Sequence, residues 1–242
     1  MRSSAGASPE ASLSSGYQET KWVYGSSSGA GDVFNSNDVL KEMRYPDKST
    51  SAASSSEKEI YTTNGLGQVK TKTDRNNNVH TFSFDVLGRT TADAVTTLGS
   101  GVDGVIRRIE MAYDGQGNTY LLTSYDASSG GNIVNQVQQV YNGLGEIITE
   151  YQSHSGAVNT GTTPKVQYAY SEMASGANHS RLTGMTYPNG TVVTHNYGSG
   201  LDTSISRLTS LTSGGNTLEA FDYVGHGTVV RRAHAQPGVD LT

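Results

Sequence analysis

The chain has 242 residues, enough for one or two ordinary domains or a single larger all-β unit. Hydrophobic residues make up 34% and charged residues 16%, with a formal net charge of −5, which is not the low-hydrophobicity, high-charge balance of wholesale disorder. The absence of cysteine excludes disulfides, thiolate metal sites and cysteine nucleophiles, and a pI near 5.6 with scattered Lys and Arg argues against a nucleic-acid groove.

In chain order, residues 1–16 are mostly Ser, Ala and Gly and read as a disordered leader, with one Arg and no apolar run of the kind a secretion signal needs. Tyr17 to Tyr24 predicts a first short strand. The Gly-rich stretch 25–31 lacks the Lys-Ser/Thr of a phosphate-binding loop and reads as a flexible connection. Over 36–43, Ser36, Asn37 or Asp38 can cap a two-turn helix carrying Val39, Leu40 and Met43, and Tyr45-Pro46-Asp47 would end it. Ser49 to Ser56 reads as a low-complexity loop. No window is apolar enough to span a membrane as a helix.

From Ile60 onward one pattern recurs: an alternating strand, an aromatic residue, Asn or Asp, a Gly-containing turn, then another alternating strand. Four copies align as TNGLGQ (63–68), FDVLGR (84–89), YDGQGN (113–118) and YNGLGE (141–146), with Gly67, Gly88, Gly117 and Gly145 separated by 21, 29 and 28 residues. That spacing holds two strands and two turns, so each unit is a hairpin. Between turns the period is two, as in Ile109, Met111, Tyr113 and Val166, Tyr168, Tyr170, the mark of half-buried strands. Tyr187-Pro188-Asn189-Gly190 predicts a further hairpin, with strands near 182–187 and 191–197 and a two-residue Asn-Gly loop at positive φ. The expected architecture is all-β, built of tandem antiparallel hairpins over 17–242, with the clearest repeats at 57–151 and 165–235.

The [YF]-[DN]-x-[LQ]-G-x turns, joined to TDRNNNVHTFSFDVLGRT (73–90) and the Tyr-Pro-Asn-Gly hairpin, resemble the YD repeats of Rhs and teneurin-type proteins. The resemblance covers roughly residues 40 to 235, is most specific over Thr73 to Arg89, and becomes degenerate after Gly190. It implies a curled, solenoid-like open sheet or part of a hollow β-shell, an extracellular or cell-surface setting, and a toxin passenger in many bacterial members. The Asp-Pro-x-Gly closure at which such passengers are released has no counterpart here, since the chain has no Asp-Pro dipeptide, and no capping segment is evident near Gly238 to Thr242. A piece of a longer polypeptide is therefore expected, with the remaining repeats and a possible passenger as its partners.

Chemistry-bearing motifs are few. Asp74, Asn76 and Asn78 fall at positions 1, 3 and 5 of a calcium loop and Asp85 at position 12, but Val79 stands where such a loop needs Gly, and a plain Asn-rich turn is the preferred reading. Gly65-Leu66-Gly67 and Gly143-Leu144-Gly145 lack the third glycine of a dinucleotide loop. His80, His154, His179, His195, His226 and His234 show no metal-ligand spacing, with His80 and His195 placed in strands, and no G-x-S-x-G elbow is present. Asp85, Asp114, Asp126 and Asp222 each follow an aromatic residue and read as turn acids, because a catalytic pair is needed once and a turn in every repeat. Phe84, Tyr113, Tyr125 and Tyr141 are expected to stack as cross-strand pairs. No catalytic, cofactor-binding or metal residue is assigned, and no nucleic-acid partner. The expected function is structural, with a carbohydrate-binding or adhesin-like module as the alternative.

Overall fold

The computed structural model describes residues 17–28, 32–171 and 180–234 and the backbone of 240–241; the leader expected over 1–16 lies outside the described residues. The chain is all-β, a series of antiparallel hairpins with, among the described residues, one helical turn at Leu201–Ser204. It divides into two units, Met1–Ala112 with Leu122–Asn135, and Tyr113–Leu121 with Gln136–Thr242.

In the first unit β1 (Lys21–Ser26), β2 (Ser36–Pro46), β3 (Ala53–Thr63), β4 (Val69–Thr73), β5 (Val79–Phe84), β6 (Thr90–Thr97) and β7 (Arg108–Tyr113) pair consecutively and antiparallel, β7 ending at the unit boundary. In the second unit the same meander runs through the end of β9 (Ile133–Tyr141), β10 (Ile147–Ser153), β11 (Lys165–Tyr170), β12 (Leu182–Thr186), β13 (Val192–Asn196), β14 (Ser210–Ser213), β15 (Asn216–Val224), β16 (Thr228–His234) and β17 (Asp240–Leu241). β8 (Thr119–Tyr125) and β9 each have residues in both units. Because consecutive strands pair, alternate turns fall on the same sheet margin. Several registers slip just before a turn, at Thr62/Thr63, Ser83/Phe84 and Asp222/Tyr223, and such bulges add twist to the strand entering the corner.

Three expectations for the first sixty residues are corrected. Residues 36–43 form the first part of β2, not a helix: Met43 faces Trp22 on one side and Glu59 on the other, and Glu42 holds Lys58 at 2.8 Å. Two backbone ladders outweigh helix-propensity differences of a few tenths of a kcal/mol per residue. Residues 49–56 are not loop throughout, since β3 begins at Ala53, and the first strand starts at Lys21 instead of Tyr17.

Little apolar surface is enclosed. Among the described residues the buried apolar side chains are Ala92, Ala94 and Tyr151, while Asp32, Thr63, Thr123, Gln136, Thr149 and Glu219 are buried polar groups. The sheet faces are instead tiled by cross-strand polar pairs, such as Thr62 with Thr71 at 2.6 Å, Lys72 with Glu59 at 3.0 Å and Gln139 with Glu150 at 2.9 Å. Such pairs contribute ~0.2–1 kcal/mol each.

Candidate functional site

The feature that recurs with fixed chemistry is the turn. In the Asp85 turn, the Asp85 N–H donates to the Arg89 carbonyl (2.9 Å) and the Gly88 N–H donates back to the Asp85 carbonyl (3.0 Å). The Asp85 carboxylate folds over the corner: Oδ1 accepts the Leu87 and Arg89 amides (2.9 Å each), and Oδ2 accepts Arg89 Nε at 2.7 Å. This is a type I corner closed by a left-handed residue, with an acid or amide clamped onto its own turn. Asn64, Asp114 and Asn142 repeat every bond, each with a different fifth residue gripping the clamp: Gln68 at 2.9 Å, Asn118 at 3.0 Å and Glu146 at 2.7 Å. The fifth residue can also bond beyond its own corner: Gln68 Nε2 donates to the Gly88 carbonyl at 2.7 Å, and the Glu146 carboxylate accepts Ser180 Oγ at 2.7 Å.

The segment that suggested calcium is a further copy. Asp74 Oδ1 accepts the Asn76 (2.8 Å) and Asn78 (2.9 Å) amides and Oδ2 accepts Asn78 Nδ2 (2.8 Å), with Asn77 at φ 63° in the place of glycine. β5 then carries the chain to Asp85, which starts the next turn on the opposite margin. The carboxylates are thus occupied by separate corners. Their electrostatics agree: the Arg89 amide holds Asp85 below the usual carboxylate range, the Asn118 side chain does so for Asp114, and the Asn132 side chain does so for Asp126. Asp126 closes a longer loop, clamping Asn132 through its amide at 2.7 Å and its Nδ2 at 3.0 Å.

Three expectations about these residues are corrected. Asp222 is no turn acid; it lies within β15 and pairs with Arg231 on β16 at 3.3 Å. Tyr187-Pro188-Asn189-Gly190 is not a two-residue loop: the Tyr187 N–H reaches the Thr191 carbonyl, the Gly190 N–H reaches the Tyr187 carbonyl (2.9 Å each), and Gly190 takes φ 83°, so the corner has the same backbone as the others. Of the rings expected to stack as cross-strand pairs, Tyr125 lies against a cation and Tyr141 is held through its hydroxyl, and later tyrosines repeat both arrangements. Tyr141 donates to the Thr119 carbonyl (2.7 Å), Tyr170 to Ile147 (3.0 Å), Tyr197 to Leu182 (2.7 Å) and Tyr223 to Leu208 (2.6 Å), and burial raises the pKa of all four phenols. The Tyr125 ring lies under the Arg108 guanidinium at 4.0 Å, Tyr197 under Arg181 at 4.4 Å and Tyr223 under Arg207 at 4.6 Å.

Sequence reasoning missed this last pairing. Ser180-Arg181-Leu182-Thr183 and Ser206-Arg207-Leu208-Thr209 are one repeat 26 residues apart, as are Tyr197 and Tyr223, so the array continues past Gly190 with its signature moved from the turn to the Arg-Leu-Thr strand start. The identity of those four-residue words was the available signal.

His80 in β5 bonds Asp93 at 2.7 Å and stacks on Phe82, His195 in β13 is held neutral by burial, and among the described residues no group of three or more His, Asp or Glu is placed to share a cation. The described surface includes a shallow depression of about 550 Å³ in the second unit, lined by Asp114, Gln116, Tyr120, Gln138, Tyr141 and Asn142.

No family model and no curated protein matches the chain. Among solved structures it is similar to the crystal structure of TcdB2-TccC3 without its hypervariable C-terminal region, at 12% identity over 80% of this chain and 12% of that one, with a TM-score of 0.37. It is also similar to the TcdB2-TccC3-TEV structure at 12% identity over 80% and 12%, TM-score 0.36, and to TcdB2-TccC3-Cdc42 at 12% over 82% and 11%, TM-score 0.31. The chain spans about an eighth of the length of these chains.

Proposed function

We propose that this chain is a structural YD-repeat segment, part of the wall of an Rhs-type shell within a longer secreted or surface toxin-delivery polypeptide, and that it performs no catalysis of its own. The observation that supports this reading is the recurrent clamped turn: the residues with the most constrained chemistry serve to hold hairpins, and they do so repeatedly. A wall segment also accounts for the thin enclosure of apolar side chains, because its sheet would be completed by neighbouring repeats of the same polypeptide.

The test is the behaviour of the isolated 242-residue chain. Open sheet edges are templates for pairing, so sedimentation should show concentration-dependent association. A monodisperse monomer that unfolds cooperatively would overturn the wall reading.

The Tyr120 depression supports a second reading, a carbohydrate-binding module. An aromatic ring that is 38% exposed beside carboxamides is the pairing that stacks on a sugar face and bonds its hydroxyls. Glycan-array binding lost in Tyr120→Ala would favour it, and a blank array would remove it.

A further inference from the structure

Three Asn-Gly dipeptides occur in the chain, at Asn64-Gly65, Asn142-Gly143 and Asn189-Gly190, and all three stand on hairpin corners. Their surroundings differ in the features that govern attack of a backbone nitrogen on the preceding side-chain amide.

At Asn142 four features converge. Oδ1 accepts two backbone amides, Leu144 at 2.9 Å and Glu146 at 3.0 Å, which is the donor arrangement that stabilises a developing oxyanion. The backbone bonds that close the corner use the Asn142 and Gly145 N–H groups, with no part taken by the Gly143 N–H, which leaves that nitrogen uncommitted among the described residues. Gly143 has open space where a side chain would stand, with nothing within 4 Å. Lastly, the Glu146 carboxylate sits on the amide nitrogen, Nδ2 to Oε2 at 2.7 Å.

We propose that Asn142 is a self-modifying site, at which the clamp that holds the corner also promotes deamidation, with Glu146 as its proton carrier. The Gly143 nitrogen bonds to Cγ of Asn142 as the Cγ–Nδ2 bond breaks. The proton lost from Gly143 is the one the departing amine needs, and Glu146, already on Nδ2, relays it, so that ammonia leaves and a five-membered imide remains. Water then opens either imide carbonyl to give aspartate or isoaspartate. No other reactant is required.

The other two sites lack parts of this arrangement. Asn64 has the same two amide donors, but Gln68, which does not carry protons, replaces Glu146, and a Cβ at Gly65 would meet the Val33 side chain at 3.9 Å where Gly143 has open space. At Asn189 the Gly190 N–H is committed to the Tyr187 carbonyl at 2.9 Å, and a single amide, Thr191 at 3.0 Å, reaches Oδ1. The order of reaction is therefore Asn142, then Asn64, then Asn189.

The products differ as well. Aspartate at 64 faces the neutral Gln68 side chain, whose amide can turn to donate only by giving up its bond to the Gly88 carbonyl. Aspartate at 142 faces the Glu146 carboxylate, so the clamp is replaced by two like charges and the link from Glu146 to Ser180 is disturbed. Modification thus opens one corner selectively.

The experiment is incubation of the full chain in mildly alkaline buffer, with peptide mapping of amide-to-acid conversion at each site against time. Asn142 should convert first and Asn189 last in the folded chain, with the three rates converging in denaturant. Glu146→Gln recreates the Asn64–Gln68 arrangement that this fold already holds, and it should slow Asn142 by roughly 100-fold, the low end of what a positioned acid or base contributes. Conversion of Asn189 as fast as Asn142 in the folded chain, or a Glu146→Gln variant that reacts at the parent rate, would overturn the proposal.

Discussion

The turn residues act through a side chain that satisfies its own backbone, and each part of the clamp can be removed separately. Asn64→Ala loses the acceptor for two amides and should cost about 1 kcal/mol or more in urea unfolding, whereas Asn64→Asp keeps that acceptor and should cost less. Glycine at the closing position has two separate reasons. Gly67 and Gly88 both need positive φ, 79° and 80°, but a Cβ at Gly88 would also stand 3.1 Å from Gln68 Nε2. Either alanine variant pays the left-handed strain of roughly 1–2 kcal/mol, and Gly88→Ala should be the less stable of the two by thermal or urea midpoint.

The turn acids also set an acid response. Asp85, Asp114 and Asp126 have folded pKa values below their ordinary 3.8, so the stabilisation they give is fully present above that value and is lost as pH falls through the lower folded values. Urea midpoints should be flat near neutrality and drop only below about pH 3.8, and Asp85→Asn should flatten part of the drop. A midpoint that falls already between pH 7 and 5 would assign acid sensitivity to other groups.

At the scale of elements, the turns were legible because Asn or Asp and Gly at fixed offsets have a local mechanism that needs no tertiary partner. The strand at 36–46 was not. Val39, Leu40 and Met43 at helical spacing after three possible caps are a sound local signal, and the ladders to β1 and β3 that override it come from residues far along the chain. The Asn189-Gly190 corner was placed correctly but given the wrong loop, because Asn-Gly serves two turn classes and only the Tyr187 to Thr191 bond distinguishes them. The Arg-Tyr stacks escaped notice for a similar reason: partners 16 or 17 residues apart meet only once the hairpin is folded. Tyr223→Phe removes the bond to the Leu208 carbonyl while keeping the ring under Arg207, and should cost about 1 kcal/mol. Arg207→Ala should cost more, since it also removes the bonds to Asp202 and to the Gly225 carbonyl.

For the molecule as a whole, stability is distributed along the ladder instead of gathered in a core, so edges matter more than interiors. Among the described residues β16 pairs with β15 from Thr228 to His234, and β17 pairs with it at Arg232 and Ala233. Val229 and Val230, 47% and 45% exposed, lie on β16 ahead of that pairing. Val229→Lys should therefore reduce the concentration dependence of sedimentation without lowering the urea midpoint, as a charged edge discourages pairing with another chain. Unchanged association would move the sticky surface elsewhere.

A corner that draws its closing bonds from five consecutive residues can be transplanted. The Asn64 and Asp85 turns lie on the same margin of one sheet and present the same backbone to the strands on either side, so excising residues 64–84 would splice Thr63 onto Asp85 with every bond inside the surviving corner intact. An array built this way can grow or shrink by whole hairpins, because each excision removes two strands and two corners and leaves the remaining corners built as before.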